Sequence, residues 1–155
     1  MSKICWSLVA VLVLASGTLA YRFLLRGAVV PASDGRSAIL LAPGERDLVL
    51  AEMRAFLQSV QEIVAALGEG SLDGVSAAAR RVGVAAQHEV PSSLVGKLPG
   101  EFKFLGFDTH GKFDQLALDA EQLGDAGHTL GQLAELMRNC VACHAAYRID
   151  LETPQ

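Results

Sequence analysis

An almost unbroken apolar run from Ile4 to Ala20, with Lys3 ahead of it and no further charge until Arg22, opens the chain. A short positive region before an apolar run is the pattern of a secretory signal, and Ala15, Gly17, Thr18 and Ala20 offer small residues for cleavage. The run also approaches the roughly 17–25 residues that a membrane-spanning helix needs. Residues 1–20 are therefore expected to be either a cleaved signal or an uncleaved anchor, and Arg22 and Arg26 on the far side leave the charge bias for orientation weak. The run has no polar face, which argues against a buried core helix. Both surviving readings carry the rest of the chain across a membrane.

Beyond it, residues 21–44 read as a linker, with Pro31, Gly35 and Pro43 as punctuation. From residue 45 the apolar positions fall on helical periods. Val49, Met53, Phe56, Val60, Ile63 and Leu67 recur at alternating intervals of four and three, one continuous seam stopped by Gly68 and Gly70. A second seam of Leu72, Val75, Ala79, Val82 and Ala86 follows Ser71, a suitable N-cap, and ends before Pro91. Its small residues imply close helix approach or room for something bulky. A crossover over 89–107 carries Pro91, Pro99 and three Phe residues, and a stretch of that length is expected to be functional or to hold a short helix.

A third helix is predicted over 108–123, with Phe113, Leu116, Ala120 and Leu123 inward, broken at Gly124–Gly127. Thr129 and Gln132 form a capping-box pattern that opens the last helix. There Leu130, Leu133, Met137, Cys140, His144, Tyr147 and Leu151 make the seam. No strand-period alternation stands out. The expectation is an all-α domain over 45–155, an antiparallel four-helix bundle.

Composition sharpens this. The chain has 155 residues, 51% hydrophobic and 19% charged, which excludes a disordered chain and suits one domain. Its net charge of −4 supplies no phosphate-neutralising patch, so no nucleic-acid partner is expected. Only 6% of the residues are aromatic, and Trp6, Tyr21 and Phe23 lie at the N-terminus. The body therefore has a core of Leu, Val and Ala with few large rings.

One motif carries chemistry. Cys140-Val141-Ala142-Cys143-His144 is C-x-x-C-H, the attachment signature of c-type haem. On a helix, positions i and i+3 project both thiols from one face, toward the two haem vinyl groups. His144 follows Cys140 by one turn, so its imidazole comes up beneath the same ring and can ligate the iron. Haem c is attached outside the cytoplasm, in keeping with the export segment. A thioredoxin-like redox pair would need a strand–helix setting. A zinc site would need four ligands, with two of His88, His110 and His128 added to the motif, because Cys5 lies in the targeting segment. A haem-free bundle using Cys140 and Cys143 as a disulfide or metal clamp is a third reading.

A C-terminal C-x-x-C-H-x-x-Tyr/Phe-Arg motif, here Cys140, Cys143, His144, Tyr147 and Arg148, resembles that of cytochrome c′ and its low-spin relatives. The resemblance covers roughly residues 45–150. It implies a covalently bound haem c, one per chain, with His144 as the proximal iron ligand and Arg148 near the proximal imidazole. Arg148 as a plain helix-terminal cation is the alternative. The resemblance also implies that the first helix lines the distal face and that a homodimer forms through the first two helices.

Met53 is the one methionine on the first helix and lies on its inward seam, where the family's distal residue falls. Thioether ligation opposite His144 raises the reduction potential and suits electron transfer; plain core filling is the other role open to Met53. His110 is a rival ligand, with a surface or capping role as its alternative. Glu52 and Arg54 flank Met53 and are expected on a solvated face, as are His88 and His128 at helix ends. No catalytic pattern rises above background, so the chain reads as an electron carrier rather than an enzyme. It would serve redox partner proteins of the periplasm, soluble if cleaved and membrane-tethered through residues 4–20 if not. The alternative is a five-coordinate haem protein binding NO or CO, in which Met53 does not ligate.

Overall fold

The computed structural model describes residues 3–87 and 90–152. The N-terminal run forms α1 (Lys3–Ala20), continued by a π-helical turn over Tyr21–Arg26. That segment of 24 residues, with mean hydropathy 2.0, is long and apolar enough to cross a membrane, and none of it is buried.

The body is mostly helical with a small sheet. Helices α2 (Pro43–Gly68) and α3 (Leu72–Arg80) are followed by a short 3-10 turn (Val84–Gln87) and α4 (Ser92–Lys97). The long helices α5 (Gly100–Leu123) and α6 (Ala126–Ala146) complete the set. Helix α3 packs against α2 and α5, and α5 packs against α6. The first seam stands: Val49, Phe56 and Ile63 are buried, with Met53, Val60 and Leu67 half-buried against them. A fully buried side chain such as Ile63 contributes about 1.5–3 kcal/mol. Ser71 caps α3 as expected, its hydroxyl accepting from the Gly74 N–H at 3.1 Å. The small residues let α3 press close: Val75, Ala78 and Ala79 are buried, and the buried Ser59 hydroxyl donates to the Ala78 carbonyl at 2.9 Å.

Several boundaries depart from the pattern. The expected linker over 21–44 contains β1 (Val29–Pro31) and β2 (Ser37–Leu41), paired antiparallel. The expected last helix stops at Ala146, and Tyr147–Leu151 is a strand, β3, lying parallel to β2 with Ser37 opposite Tyr147 and Leu41 opposite Leu151. Ile39 and Leu41 are buried in a cluster with Val49, Leu94 and Leu98, and Ala38 is buried as well, so β2 reads as an apolar run without alternation. Helix α5 begins at Gly100, straight after Pro99, so Phe102, Phe104 and Phe107 sit on a helix rather than in a loop; the crossover does hold the short α4.

The Thr129–Gln132 box does not open α6. Asp125 does, its carboxylate accepting from the N–H groups of Gly127 at 2.8 Å and His128 at 3.0 Å. Thr129 is instead buried and donates to the Asp125 carbonyl at 2.8 Å. The inward face of α6 is correspondingly rotated: Thr129, Leu133, Leu136 and Asn139 are buried, while Leu130, Met137 and His144 are exposed. Three polar contacts decide this. Asn139 donates to Asp108 at 2.8 Å and Thr109 at 3.1 Å, and accepts from Lys112 at 3.1 Å, locking α6 to α5. Leu123 and Ala86, expected inward, are also exposed.

Candidate functional site

Cys140 and Cys143 lie on the last turns of α6, both free thiols and both half-buried. Cys140 packs against the cluster formed by Phe56, Ile63, Phe113, Leu133 and their neighbours. Burial raises both thiol pKa values, that of Cys143 to about 11 with the neighbouring Cys140 adding to it, so both stay protonated at neutral pH. His144 occupies the same turn. Its side chain is exposed, with no hydrogen-bond partner among the described residues. The imidazole is thus free to bind, although the expected inward orientation is not found.

The end of the helix is secured from the β1–β2 turn. The Arg36 guanidinium donates to the carbonyls of His144 and Tyr147, each at 3.3 Å, satisfying acceptors that the helix leaves without partners. Asp34 holds Arg36 in place at 2.7 Å, and that hydrogen bond keeps the Asp34 carboxyl below its usual pKa. The resemblance implies a place for Arg148 near the proximal imidazole, with a plain helix-terminal cation as the alternative. Arg148 instead stands on β3 and pairs with Asp150 at 2.9 Å and Asp34 at 3.5 Å. Arg36 sits over a hundred positions upstream, inside the expected linker, so no local pattern ties it to the end of α6.

Tyr147 is half-buried. Its ring meets Phe102 edge-on, with centroids 5.6 Å apart, and its hydroxyl donates to Glu101 at 3.2 Å. It borders a second cluster made by Ile39, Leu41, Val49, Leu94 and Leu98. Met53 packs against both clusters, joining the one that Cys140 borders to the one that Tyr147 borders. Met53 therefore sits between the elements that carry the motif and its aromatic neighbour, half-buried rather than sealed in the core.

His110 is neither a surface residue nor a free ligand. Its side chain is 3% exposed, with Nδ1 2.7 Å from the Val82 carbonyl and Nε2 3.1 Å from a Glu52 carboxylate oxygen. The ring rests on Phe56, centroids 4.8 Å apart. Burial pulls its pKa down, but the hydrogen bonds to Glu52 and Val82 outweigh that and the net shift is upward. Both nitrogens are engaged, so neither is free in this arrangement. Glu52, expected on a solvated face, is its partner.

A cavity of about 560 Å³ lies between α2, α5 and the crossover, lined by Leu48, Phe56, Leu94, Phe102, Phe107 and His110 among others. None of Cys140, Cys143, His144 or Met53 lines it. The donor set nonetheless suits covalent haem attachment: two free thiols three residues apart on one helix and an unengaged imidazole on the same turn. Among the described residues, no group of three or more His, Cys, Asp or Glu is placed to hold a metal ion. His128 is exposed and lies 3.5 Å from Asp119; His88 falls outside the described residues. No family model, curated protein or solved structure matches the chain.

Proposed function

We propose that the chain is an exported c-type cytochrome of the cytochrome c′ kind, a four-helix bundle of antiparallel α2, α3, α5 and α6 that carries one haem c on Cys140 and Cys143. The observation that carries this reading is the pair of free, half-buried thiols on the last turns of α6 beside an imidazole with no side-chain partner. The haem iron, when bound, supplies one-electron redox chemistry that the side chains themselves lack. His144 would provide the proximal nitrogen and Met53 the opposing thioether. Support for Met53 comes from its packing against both clusters at the motif end of the helices.

The remaining residues act by holding and shielding. Arg36 fixes the carbonyls at the end of α6, so the turn that bears His144 is anchored to the sheet. Just beyond that turn, Tyr147 packs edge-on against Phe102 and both rest on the second cluster, and apolar surroundings of this kind favour the less charged state of a redox centre. The apolar N-terminal helix supports delivery of the body to the periplasm, where redox proteins would be its partners.

An optical spectrum of purified protein, expressed with the haem-attachment machinery, tests all of this. A sharp alpha band on reduction and a Met-to-iron charge-transfer band on oxidation are expected. High-spin bands that move on adding CO would replace Met53 ligation by a five-coordinate, gas-binding reading. Absence of a Soret band would overturn the haem assignment.

A further inference from the structure

The foot of the N-terminal helix is fixed to the body, not joined to it by slack chain. Gly27 closes the helix at φ +66°, its N–H donating to the Arg22 carbonyl at 3.0 Å. A Cβ at Gly27 would run into the Lys97 carbonyl and come within 2.7 Å of Leu98 and Pro99 backbone atoms, so only glycine allows this approach. The next residue, Ala28, donates to the Lys97 carbonyl at 2.7 Å. A Cβ at Gly100 would lie 3.3 Å from the Leu24 carbonyl, and one at Gly96 would lie 3.6 Å from the Phe23 ring. Lys103 reaches back to the Phe23 carbonyl at 3.4 Å and to the Val95 carbonyl at 3.3 Å. The start of α5 is thus clamped against the last turn of the apolar helix.

That clamp sets where the body stands. The α-helical part, Lys3–Ala20, is about 27 Å long at 1.5 Å per residue, and the π-helical turn over Tyr21–Arg26 carries the segment past a hydrocarbon core of about 30 Å. Its last turn, with Tyr21, Phe23, Arg22 and Arg26, has the composition of a headgroup-level belt. Whatever touches that turn lies at the same level. Around it the body exposes large apolar side chains: Phe104 is 69% exposed beside Leu25 at 61%, and Phe107, one turn further along α5, is 58% exposed. Lys103, one turn before Phe107, joins Arg22 and Arg26 as positive charge at this level, with Glu101 as the acid beside Phe104. Exposed rings grouped in this way, framed by cations, match the apolar boundary and anionic headgroups of a bilayer.

We propose that the N-terminal helix is retained as an anchor and that the surface of Leu25, Phe104 and Phe107 around its foot beds into the interfacial layer of an anionic membrane. The body then stands on the bilayer in one orientation. The proposal is independent of the haem reading.

The test uses the full chain in vesicles of phosphatidylcholine and phosphatidylglycerol, with plain or brominated acyl chains. On a Trp6→Phe background, Phe104→Trp supplies a single indole at the foot, and Val141→Trp supplies one on α6, where Val141 is 69% exposed. The ratio of emission in brominated to plain vesicles cancels any quencher within the protein. A marked loss is expected for Phe104→Trp and none for Val141→Trp. Phe107→Trp serves as the second foot probe and is expected to show the same loss if Phe104→Trp does not fold by circular dichroism. Gly27→Val, which cannot keep the clamp, is expected to reduce the loss. Equal ratios at the foot and on α6, or an intact mass of membrane-extracted wild type lacking residues 1–20, would overturn the proposal.

Discussion

His110 and His144 stand on helices that pack together, yet they end in opposite chemical states. His110, in the middle of α5, is almost wholly buried and has each ring nitrogen within hydrogen-bond distance of an acceptor. His144, at the end of α6, is exposed and holds no side-chain partner among the described residues. Burial alone would nominate His110 as the ligand buried beside a cofactor. The hydrogen bonds argue the other way, because a metal needs a nitrogen lone pair and both His110 nitrogens already face acceptors, Val82 and Glu52. A histidine's availability depends on what its ring already holds, and only then on where it lies.

The comparison can be broken most decisively at the motif. Replacing both Cys140 and Cys143 by Ala should abolish covalent haem altogether, read as loss of haem staining on a denaturing gel, whereas His110→Leu should leave the stain intact. Staining that survives the double substitution would sink the attachment site.

Met53→Leu comes next. Its volume change is small, with a stability cost below about 1.5 kcal/mol, so a switch of the oxidised protein from low-spin to high-spin bands would report lost ligation. An unchanged spectrum would return Met53 to core filling.

His110→Leu should act on stability rather than on colour. It leaves the Val82 carbonyl and the Glu52 carboxylate without their partner, a loss of about 1–3 kcal/mol measured by denaturant unfolding. A spectral change without a stability change would invert the contrast between the two histidines.

The smallest effect concerns pH. The His110 pKa is raised on folding, so its contribution to stability is complete below its ordinary value of about 6.5. That contribution fades as pH rises through the higher folded value. Unfolding midpoints between pH 5 and 9 should fall on this account, and Glu52→Gln, which removes the carboxylate that favours the protonated ring, should flatten the decline. An equally steep decline in the variant would show that Glu52 is not the group responsible.

Much of the fold was legible where a pattern repeats locally. The α2 seam spans some five turns, long enough for the helical period to stand out, and Ser71 and Gly70 mark the α2–α3 join by side-chain chemistry and a positive φ. The end of α6 was not legible in the same way. Tyr147 and Leu151 continue the helical spacing of Cys140 and His144, yet Tyr147-Arg148-Ile149-Asp150-Leu151 also alternates as a strand does. Pairing with β2, far upstream, settles the choice, because β2 supplies a hydrogen-bonding edge beside two buried apolar residues, Ile39 and Leu41. The face of α6 is hidden from the pattern for a related reason: Asn139 is polar yet buried, and its partners Asp108, Thr109 and Lys112 lie on another helix.

By itself, the sequence determined the apolar N-terminal segment, the helical character of the body and the Cys140, Cys143 and His144 donor set. Each of these is written in spacing over a few residues, which any fold must respect. Only the tertiary structure decided that His110 is engaged, that Arg36 secures the end of α6, that the last helix yields to a strand, and that Gly27 locks the foot of α1 to the body. Those outcomes rest on hydrogen bonds and close approaches between groups far apart along the chain, and no local period records which distant partner a polar atom will find.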